Sequence, residues 1–317
     1  MAPFLSVVIP IFNEEANITN LWDRLKAVLD EHFNDPGKPW EVIFTDDGSR
    51  DNSLPMLQEI ARSEPRTCVV EFNRNYGQHA AIFGAFAVAR GEVVVTMDAD
   101  LQNPPEEIPK LVAKIEEGYD VVGGWRQGRM DNDSLFRTLP SKIVNAVTRK
   151  TTGVRLHDYG CMLRAYRREV VDAMLQCKER SSFIPALANS FAKRITEVPV
   201  GHAERAAGDS KYGFWKLINL QFDLLTSFSL LPLQMLSVLG VVISAMGIGF
   251  GVILLVYRIL HPEGAAQGVF TLFAVLFFFV GAQFLAFGLL GEYIGRIYQE
   301  VRDRPRYVVK KLHKADD

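Results

Sequence analysis

Two aspartates separated by one residue, Asp98 and Asp100, carry the clearest chemistry in this sequence. They follow a mostly apolar run at 92–97, which has the composition of a buried strand. Two carboxylates at a strand end can both reach a hard divalent cation, and Mg²⁺ is usually held by one or two carboxylates together with substrate phosphates. The pair therefore predicts a site for Mg²⁺ or Mn²⁺ that neutralises a diphosphate leaving group.

A second acidic cluster, Asp46-Asp47-Gly48-Ser49, follows another strand-like run at 41–45. Such a turn can cap the next helix, or it can hydrogen-bond the ribose or base of a nucleotide. No Gly-x-Gly-x-x-Gly pattern follows the first apolar run, and no P-loop pattern is present. The sequence therefore gives no support to a dinucleotide-binding domain or a P-loop ATPase.

A third group of polar residues surrounds Asp158, which follows Arg155 and His157. The Asp158 carboxylate can be a salt-bridge partner, a general base or a group that orients an acceptor. Further along, Arg205 and Lys211 lie shortly before a long apolar region. Cations placed there can bind an anionic lipid headgroup, or they can be ordinary positive charges on the cytoplasmic side of a membrane.

These clusters lie at the ends of strand-like segments in an alternating pattern of strands and helices. Strands that are apolar throughout and are separated by helices predict a parallel sheet covered on both faces. Ligands of such sheets bind at the carboxyl ends of the strands, which is where Asn13-Glu14, Asp46-Asp47, 73–75 and Asp98-Ala99-Asp100 fall. The predicted strands are 5–11, 41–45, 68–72, 92–97 and 120–123, and the predicted helices are 16–33, 51–63, 77–90 and 103–117.

The C-terminal third has the composition of a membrane anchor. The runs 233–257 and 269–291 are uncharged and long enough to cross a hydrocarbon core of about 30 Å. The tail 292–317 has seven Lys or Arg against five Asp or Glu, which predicts that both ends of the hairpin are cytoplasmic. The predicted domains are a cytoplasmic domain at 1–210, an interface helix at 211–232, the two spans, and a basic cytoplasmic tail. The basic segment 134–152, which includes Arg137, is a second amphipathic interface helix or a surface helix.

Composition limits the classes of partner and compartment. The net charge of −2 disfavours a nucleic-acid partner, because nucleic-acid-binding proteins usually carry a basic excess. Three cysteines without paired spacing predict neither a disulfide framework nor a zinc site. The N-terminus has no basic segment followed by an apolar run, so we expect no signal peptide and a cytoplasmic N-terminal domain.

Several motifs together resemble a known family. The sequence is similar to family-2, GT-A-fold polyprenyl-phosphate glycosyltransferases over nearly its whole length, including the predicted hairpin. The resemblance is carried by VIPIFNEE at 8–15, DDGS at 46–49, NRNYGQH at 73–79, DADLQNPP at 98–105, ERSSFIP at 179–185, HAER and SKY between 202 and 212, and GLLGEYIGRIY at 288–298.

The resemblance implies a role for each residue that matches a family motif. It implies a GT-A, Rossmann-like nucleotide-sugar domain with a divalent metal between the protein and a UDP diphosphate. The implied residues are Pro10, Asn13, Glu14, Asp47 and Asp98 at the nucleotide; Asp98, Asp100 and Gln102 at the metal; Asp158 and Asp100 in catalysis; and Arg137, Arg205 and Lys211 at acceptor or donor phosphates.

The same resemblance implies an activity and a location. It implies transfer of a sugar from a UDP-sugar to a polyprenyl phosphate at the cytoplasmic face of a bacterial inner membrane, by a multi-pass protein that is often a tetramer. We expect an inverting displacement in which the lipid phosphate oxygen attacks the anomeric carbon and UDP leaves. A phosphate monoester has a second pKa of about 6, so no strong general base is obviously required, and Asp158 can instead orient groups or stabilise developing positive charge.

Two other functions compete with this interpretation. A processive polysaccharide synthase shares the GT-A domain, but it normally has more membrane spans and a Gln-x-x-Arg-Trp motif, which this sequence lacks. A non-catalytic membrane scaffold that retains a nucleotide-sugar fold is the second, and the intact Asp98-x-Asp100 motif argues against it. The sugar itself stays open at this point, because related transferases handle glucose, mannose or N-acetylglucosamine.

Overall fold

The computed structural model describes residues 3–126, 158, 160–177, 183–201, 231–260, 268–302 and 304–315. The chain divides into two compact units, Met1–Gln221 together with Arg304–Asp317, and Phe222–Asp303. The first unit contains a mixed α/β sheet, and the second contains two long apolar helices.

The first half of the sheet unit alternates strands and helices as the sequence predicts. Each apolar run forms a strand because its residues are buried on both sides, and each amphipathic run forms the helix that covers them. The elements are β1 Leu5–Ile11, α1 Glu15–His32, β2 Trp40–Asp46, α2 Ser53–Ser63, β3 Thr67–Phe72, α3 Gln78–Phe86, β4 Val93–Thr96, a 3₁₀ turn Pro105–Glu107, α4 Ile108–Glu116 and β5 Val121–Arg126.

The remaining elements of this unit lie in residues 160–201, except the last strand, which follows the second unit. They are β6 Arg164–Arg167, α5 Arg168–Gln176, α6 Ile184–Phe191, β7 Ile195–Val200 and, close to the C-terminus, β8 Val309–His313. The eight strands form one sheet in the order β7-β5-β6-β4-β1-β2-β3-β8.

Strand β1 shows how the sheet is covered on both faces. Its alternate residues Val7 and Ile9 pack into one core with helices α1, α2 and α4, whereas Val8 packs into a second core with α3, α5 and α6. All three side chains are fully buried, and each burial of this kind contributes about 1.5–3 kcal/mol. This two-sided core fixes the strand ends, and therefore the residues that follow them.

The sheet is mixed, which corrects the prediction that it is parallel. Strands β4, β1, β2 and β3 are parallel neighbours, but β6 lies antiparallel between β4 and β5, and β8 lies antiparallel beside β3. The sequence of β6, Arg-Ala-Tyr-Arg, does not read as a buried strand. Inside the protein, Arg164 Nε and Nη2 donate to the carbonyl oxygens of Cys161 and Asp158, each at 2.9 Å, whereas its Nη1 is buried without a hydrogen-bond partner among the described residues.

The second unit consists of helix α7, Leu231–Leu260, and helix α8, Val269–Val301. Among the described residues, one helix is long and apolar enough to cross a membrane, by length and composition: its segment Phe278–Gly295 has a mean hydropathy of 1.4. The corresponding apolar segment of α7, Met235–Gly247, is shorter. The two helices thus match the predicted runs in position, and the predicted two-span hairpin stays a proposal.

Candidate active site

The carboxyl ends of β1, β2 and β4 meet at one edge of the sheet and border a cavity of about 260 Å³. Parallel pairing produces this meeting, because Ile11 at the end of β1 lies opposite Asp46 at the end of β2. Of the residues predicted from the sequence, the structure brings five to this cavity, and it adds others from the loop after β3. The lining residues are Pro10, Ile11, Phe12, Glu14, Asp47, Asn75, Gly77, Gln78, Asp98, Ala99 and Asp100.

Asp47 holds the loop that follows β3 against the cavity. Its two carboxylate oxygens accept hydrogen bonds from the backbone N–H groups of Tyr76 at 2.7 Å and Gly77 at 2.8 Å. Burial raises the pKa of Asp47, although these two hydrogen bonds act in the opposite direction. The neighbouring Gly48 has φ +71°, and a Cβ there would lie 2.6 Å from the carbonyl carbon of Arg74, so glycine allows the two loops to touch.

Asn13 lies just outside the cavity, in a turn joined to the loop after β2. It has a left-handed backbone with φ +57°, a conformation that asparagine adopts more readily than most residues. Its side-chain oxygen accepts from the backbone N–H of Arg50 at 2.8 Å, and its own N–H donates to Ser49 Oγ at 3.0 Å. Asn13 therefore links the loops that follow β1 and β2. Its predicted role at the nucleotide stays a prediction.

Glu14 lines the cavity at the beginning of α1. Its backbone N–H donates to Ser53 Oγ at 2.9 Å, and its carboxylate accepts from Asn17 Nδ2 at 2.7 Å. The contact with Ser53 connects the start of α1 with the start of α2, and the contact with Asn17 lies within the first turn of α1. Glu14 also adds negative charge near Asp98, and this charge favours the protonated form of Asp98.

Asp98 and Asp100 place two carboxylates on the same side of the cavity. Burial, and then the charge of Asp100, raise the pKa of Asp98 to about 7. Gln78 Nε2 donates to Asp98 Oδ1 at 2.6 Å, and the backbone N–H of Gln102 donates to Asp100 Oδ1 at 3.2 Å. Leu101, between them, has φ +58°, a conformation that is uncommon for a non-glycine residue.

The donor set at this edge fits a hard divalent cation. It offers two carboxylates, and burial together with the charges of Asp100 and Glu14 raises the pKa of Asp98, although Arg126 acts in the opposite direction. No group of three or more His, Cys, Asp or Glu side chains converges on a metal position within the described residues. This pair therefore suits a cation that takes its remaining ligands from phosphate and water, as Mg²⁺ usually does.

The Gln102 side chain was predicted as a further metal ligand, and that role stays a prediction. The structure shows a contact of its backbone, since the Gln102 N–H binds the carboxylate of Asp100. This hydrogen bond orients Asp100 and supports the same site through the main chain.

Asp158 forms a bidentate ion pair with Arg126, a residue that we did not predict. Arg126 Nε and Nη2 donate to the two carboxylate oxygens at 2.6 and 2.9 Å, and the backbone N–H of Gly160 donates to Oδ1 at 3.0 Å. The two side chains are 10% and 13% exposed. Burial alone would lower the pKa of Arg126, but the Asp158 carboxylate raises it overall, so the guanidinium stays charged.

A second layer of polar contacts fixes the backbone of Asp158. Its N–H donates to Glu197 Oε1 at 3.1 Å, and its carbonyl accepts from the fully buried Arg164 at 2.9 Å. The structure shows the salt bridge of Asp158, and its predicted catalytic role, as a base or as an orienting group, stays a prediction. We predicted that this strand ends at residue 123, whereas β5 continues to Arg126. Arg126 was missed because the prediction placed it beyond the end of the strand.

The three cations predicted at phosphate groups, Arg137, Arg205 and Lys211, lie outside the described residues. Their assignment to acceptor or donor phosphate therefore stays a prediction. The other missed residue at the described edge is Gln78, whose position directly after Gly77 at the start of α3 aims it at Asp98.

The fold of the sheet unit has a counterpart among solved structures. The structure resembles that of glucosyl-3-phosphoglycerate synthase from Mycobacterium tuberculosis, with a TM-score of 0.52 and 21% identity over 71% of this chain and 76% of that one. The crystal structure of that enzyme contains Mn²⁺, UDP and phosphoglyceric acid. The likeness shows that the two proteins share a fold built on a mixed α/β sheet.

The family follows from the sequence comparison. Residues 6–175 match the family model of glycosyl transferase family 2, so the chain belongs to this family and is a glycosyltransferase. A relative from Klebsiella pneumoniae subsp. pneumoniae, undecaprenyl-phosphate 4-deoxy-4-formamido-L-arabinose transferase, is 54% identical over 97% of this chain and 93% of its own length. A relative of the same name from Shewanella sediminis is 55% identical over 98% of this chain and 92% of its own length. The predicted family resemblance is confirmed.

Proposed function

We propose that this protein transfers 4-deoxy-4-formamido-L-arabinose from a UDP-linked donor to undecaprenyl phosphate. The observation that carries the proposal is the identity of 54–55% with relatives of that name, which extends over 97–98% of the chain. An identity of this extent covers the sheet edge and both apolar helices together. The geometry supports the reaction class, because a cavity with paired carboxylates suits a metal-bound nucleoside diphosphate.

The donor occupies the cavity at the carboxyl edge in this proposal. Pro10, Asn13 and Glu14 border the nucleotide, and Asp47 acts at the ribose or uracil, directly or through the loop that it holds. Asp98 and Asp100, with Gln102 as the candidate third residue, hold Mg²⁺ or Mn²⁺ against the diphosphate. When bound, the cation supplies positive charge that balances the departing UDP.

The transfer is an inverting displacement. A phosphate oxygen of the lipid forms a bond to the anomeric carbon, the bond from that carbon to the UDP oxygen breaks, and UDP keeps the electron pair. The lipid phosphate is already ionised near neutral pH, since its second pKa is about 6. The Arg126–Asp158 ion pair therefore acts by orienting groups and balancing charge at the cavity, and no proton transfer to Asp158 is needed.

The acceptor is bound at the membrane surface. Arg137, Arg205 and Lys211 are the proposed cations for the acceptor or donor phosphates, and α7 and α8 form a membrane hairpin that holds the protein at the cytoplasmic face of the bacterial inner membrane. The many exposed apolar side chains of the two helices, such as Val241 at 70% and Phe284 at 70%, support this placement. A homo-oligomer, a tetramer by family resemblance, completes the proposed assembly.

The proposed product places the protein in lipid A modification and polymyxin resistance. Transfer of the sugar unit to a lipid A phosphate converts a monoester into a diester with one fewer ionisable oxygen, and a less anionic surface attracts cationic peptides less strongly. This cellular role depends on the sugar, so the identity of the donor decides it.

A transfer assay with the purified full-length protein tests the proposal. We would supply undecaprenyl phosphate, Mn²⁺ or Mg²⁺, and a panel of UDP-sugars that includes the formamido-arabinose donor, with Asp100→Ala as the inactive control. A lipid-linked formamido-arabinose formed by the wild type alone is the expected result. Preference for UDP-glucose or UDP-N-acetylglucosamine would overturn the sugar, and a polymer or no product from folded protein would overturn the reaction class.

A further inference from the structure

The chain that follows helix α8 returns to the sheet beside the loop 73–77, which we call the donor loop because it borders the proposed donor cavity. Strand β8 pairs antiparallel with β3, and just before it the backbone N–H of Asn73 donates to the carbonyl of Val308 at 3.3 Å. Arg306 lies over the ring of Phe83 at 4.2 Å and donates to the carbonyl of Cys177. The segment 304–313 is thus fixed to the sheet unit at the point where β3 gives way to the loop 73–77.

A series of aromatic contacts connects this segment to the donor loop. The ring of Tyr307 stacks on that of Phe72, with centroids 4.9 Å apart and planes 11° from parallel. Phe72 in turn meets the ring of Tyr76 edge to face, with centroids 5.8 Å apart and planes at 88°. Gly84 makes the stack possible, because a Cβ there would lie 2.6 Å from Phe72 Cζ and 3.7 Å from Tyr307 Cε2.

Tyr76 connects these rings to the cavity. Its hydroxyl donates to Asn73 Oδ1 at 2.9 Å, and the guanidinium of Arg74 lies 4.8 Å from its ring centroid. With its ring held on several sides, its backbone N–H points at Asp47 and donates to Oδ1 at 2.7 Å. The next residues, Gly77 and Gln78, line the cavity, and Gln78 binds Asp98.

We propose that Tyr307 is a positioning residue for the donor site, which it supports through the stacked rings of Phe72 and Tyr76 and the Asp47-bound loop. The inference rests on the proposed function, since it assigns Tyr307 to the UDP-sugar cavity. Its consequence is that the donor site is complete only when the segment after α8 is docked on the sheet. A residue far from the reacting atoms in sequence, and in contact with none of them, then tunes donor affinity.

The test compares variants of the full-length protein in detergent. Tyr307→Ala removes the ring, Tyr307→Phe keeps the stack but removes the hydroxyl that donates to the Phe83 carbonyl at 3.4 Å, and Leu312→Ala is a matched control on β8 with an exposed side chain. We would measure the Kd for UDP with Mn²⁺ by calorimetry, the KM values for donor and lipid, and kcat. Thermal denaturation of each variant would report folding.

We expect Tyr307→Ala to bind UDP roughly three- to tenfold more weakly, the scale on which one aromatic pair acts, with a matching rise in donor KM. The lipid KM and kcat should stay within about twofold, and Tyr307→Phe and Leu312→Ala should bind UDP like the wild type. A merely structural role would lower the active fraction and kcat without this split. If Tyr307→Ala does not fold, Tyr307→Leu keeps apolar bulk without the flat ring and should show the same split.

Two results separate this inference from the proposed function. Unchanged UDP affinity in folded Tyr307→Ala or Tyr307→Leu overturns the positioning role and leaves the proposed function standing. An equal loss in Leu312→Ala also overturns it, because the effect would then belong to β8 as a whole. Absence of UDP binding by the wild type overturns the proposed donor itself.

Discussion

The two acidic sites at the edge of the sheet differ in how their charge is balanced. Asp98 is close to Asp100 and to the charge of Glu14, and its pKa is raised to about 7. Asp158 is close to Arg126, which binds both of its oxygens at 2.6 and 2.9 Å. Arg126 also acts on Asp98 and favours its charged form, but burial and the charges of Asp100 and Glu14 outweigh this effect, whereas Asp158 pairs directly with the guanidinium.

This difference assigns different work to the two sites. A site with excess negative charge gains most from binding a cation, so Asp98 and Asp100 suit a metal that is shared with the donor diphosphate. Both carboxylate oxygens of Asp158 already accept hydrogen bonds from Arg126, so this geometry suits the positioning of Arg126 more than general-base chemistry. The first four of the five predictions below test that division of work.

The largest effect is expected for Asp100→Asn. The substitution keeps the size of the side chain but removes one of two negative charges, so metal binding with UDP should weaken and transfer should fall by about 10³-fold. Steady-state transfer, together with titration of Mn²⁺ in the presence of UDP, measures both quantities. The exposed Asp23→Asn on α1 serves as the control. Near-normal transfer by folded Asp100→Asn would contradict the metal assignment.

A smaller effect on transfer, with a clear effect on stability, is expected for Asp158→Asn. Loss of the carboxylate leaves the Arg126 charge uncompensated, so we expect unfolding to become easier by about 2 kcal/mol and transfer to fall about tenfold to a hundredfold. Denaturant unfolding and steady-state kinetics measure the two effects. If Asp158 were a general base, the variant would in addition lose the acidic limb of the pH–rate profile.

A double substitution sharpens the same prediction. Arg126→Gln combined with Asp158→Asn removes both charges, so its loss of stability should be smaller than the sum of the two single losses. An additive result would show that the ion pair is energetically unimportant and would weaken the positioning role.

The raised pKa of Asp98 predicts an unusual pH dependence of stability in metal-free protein. The folded-state pKa of about 7 lies above the ordinary 3.8, so the folded state favours the protonated carboxyl and loses stability as pH rises from 3.8 through about 7. EDTA-treated wild type should therefore gain less, or lose more, stability than Asp98→Asn between about pH 5 and pH 8. Parallel pH profiles of Tm for the two proteins would contradict the charge imbalance at this site.

The sequence alone predicted those strands whose pattern of apolar residues matches their burial in the fold. The run at 5–11 forms β1, because a strand buried on both faces has to be apolar at every position. The clusters that include Asp47 and Asp98 then meet at one edge, because parallel strands bring their carboxyl ends together. The metal pair and most of the cavity could be predicted for this reason.

Strands β6 and β8 could not be predicted, because their sequences do not show their environment. Strand β6 contains two arginines, and Arg164 is nevertheless fully buried, since backbone carbonyls bind its guanidinium. Strand β8 contains Lys310 and Lys311, as expected of a strand at the edge of a sheet, and reads as a solvated basic tail. Contacts between residues that are far apart in the sequence place both strands in the sheet. The contacts of Arg126 and Tyr307 depend on the same long-range packing and could not be predicted for that reason.

The smallest effect is expected where a third carboxylate, Glu71, fastens β8 to β3. Glu71 accepts from Lys310 at 2.6 Å and contacts His313 at 2.8 Å. Although burial acts in the opposite direction, these two partners lower the pKa of Glu71 below 4.5. Its contribution to stability is therefore present above pH 4.5 and is lost as pH falls through the lowered value. Glu71→Gln should cost about 1 kcal/mol of unfolding free energy near neutral pH and less in acid, as measured by denaturant unfolding. An equal cost at both pH values would show that packing of β8, and not this balanced charge, holds the strand in place.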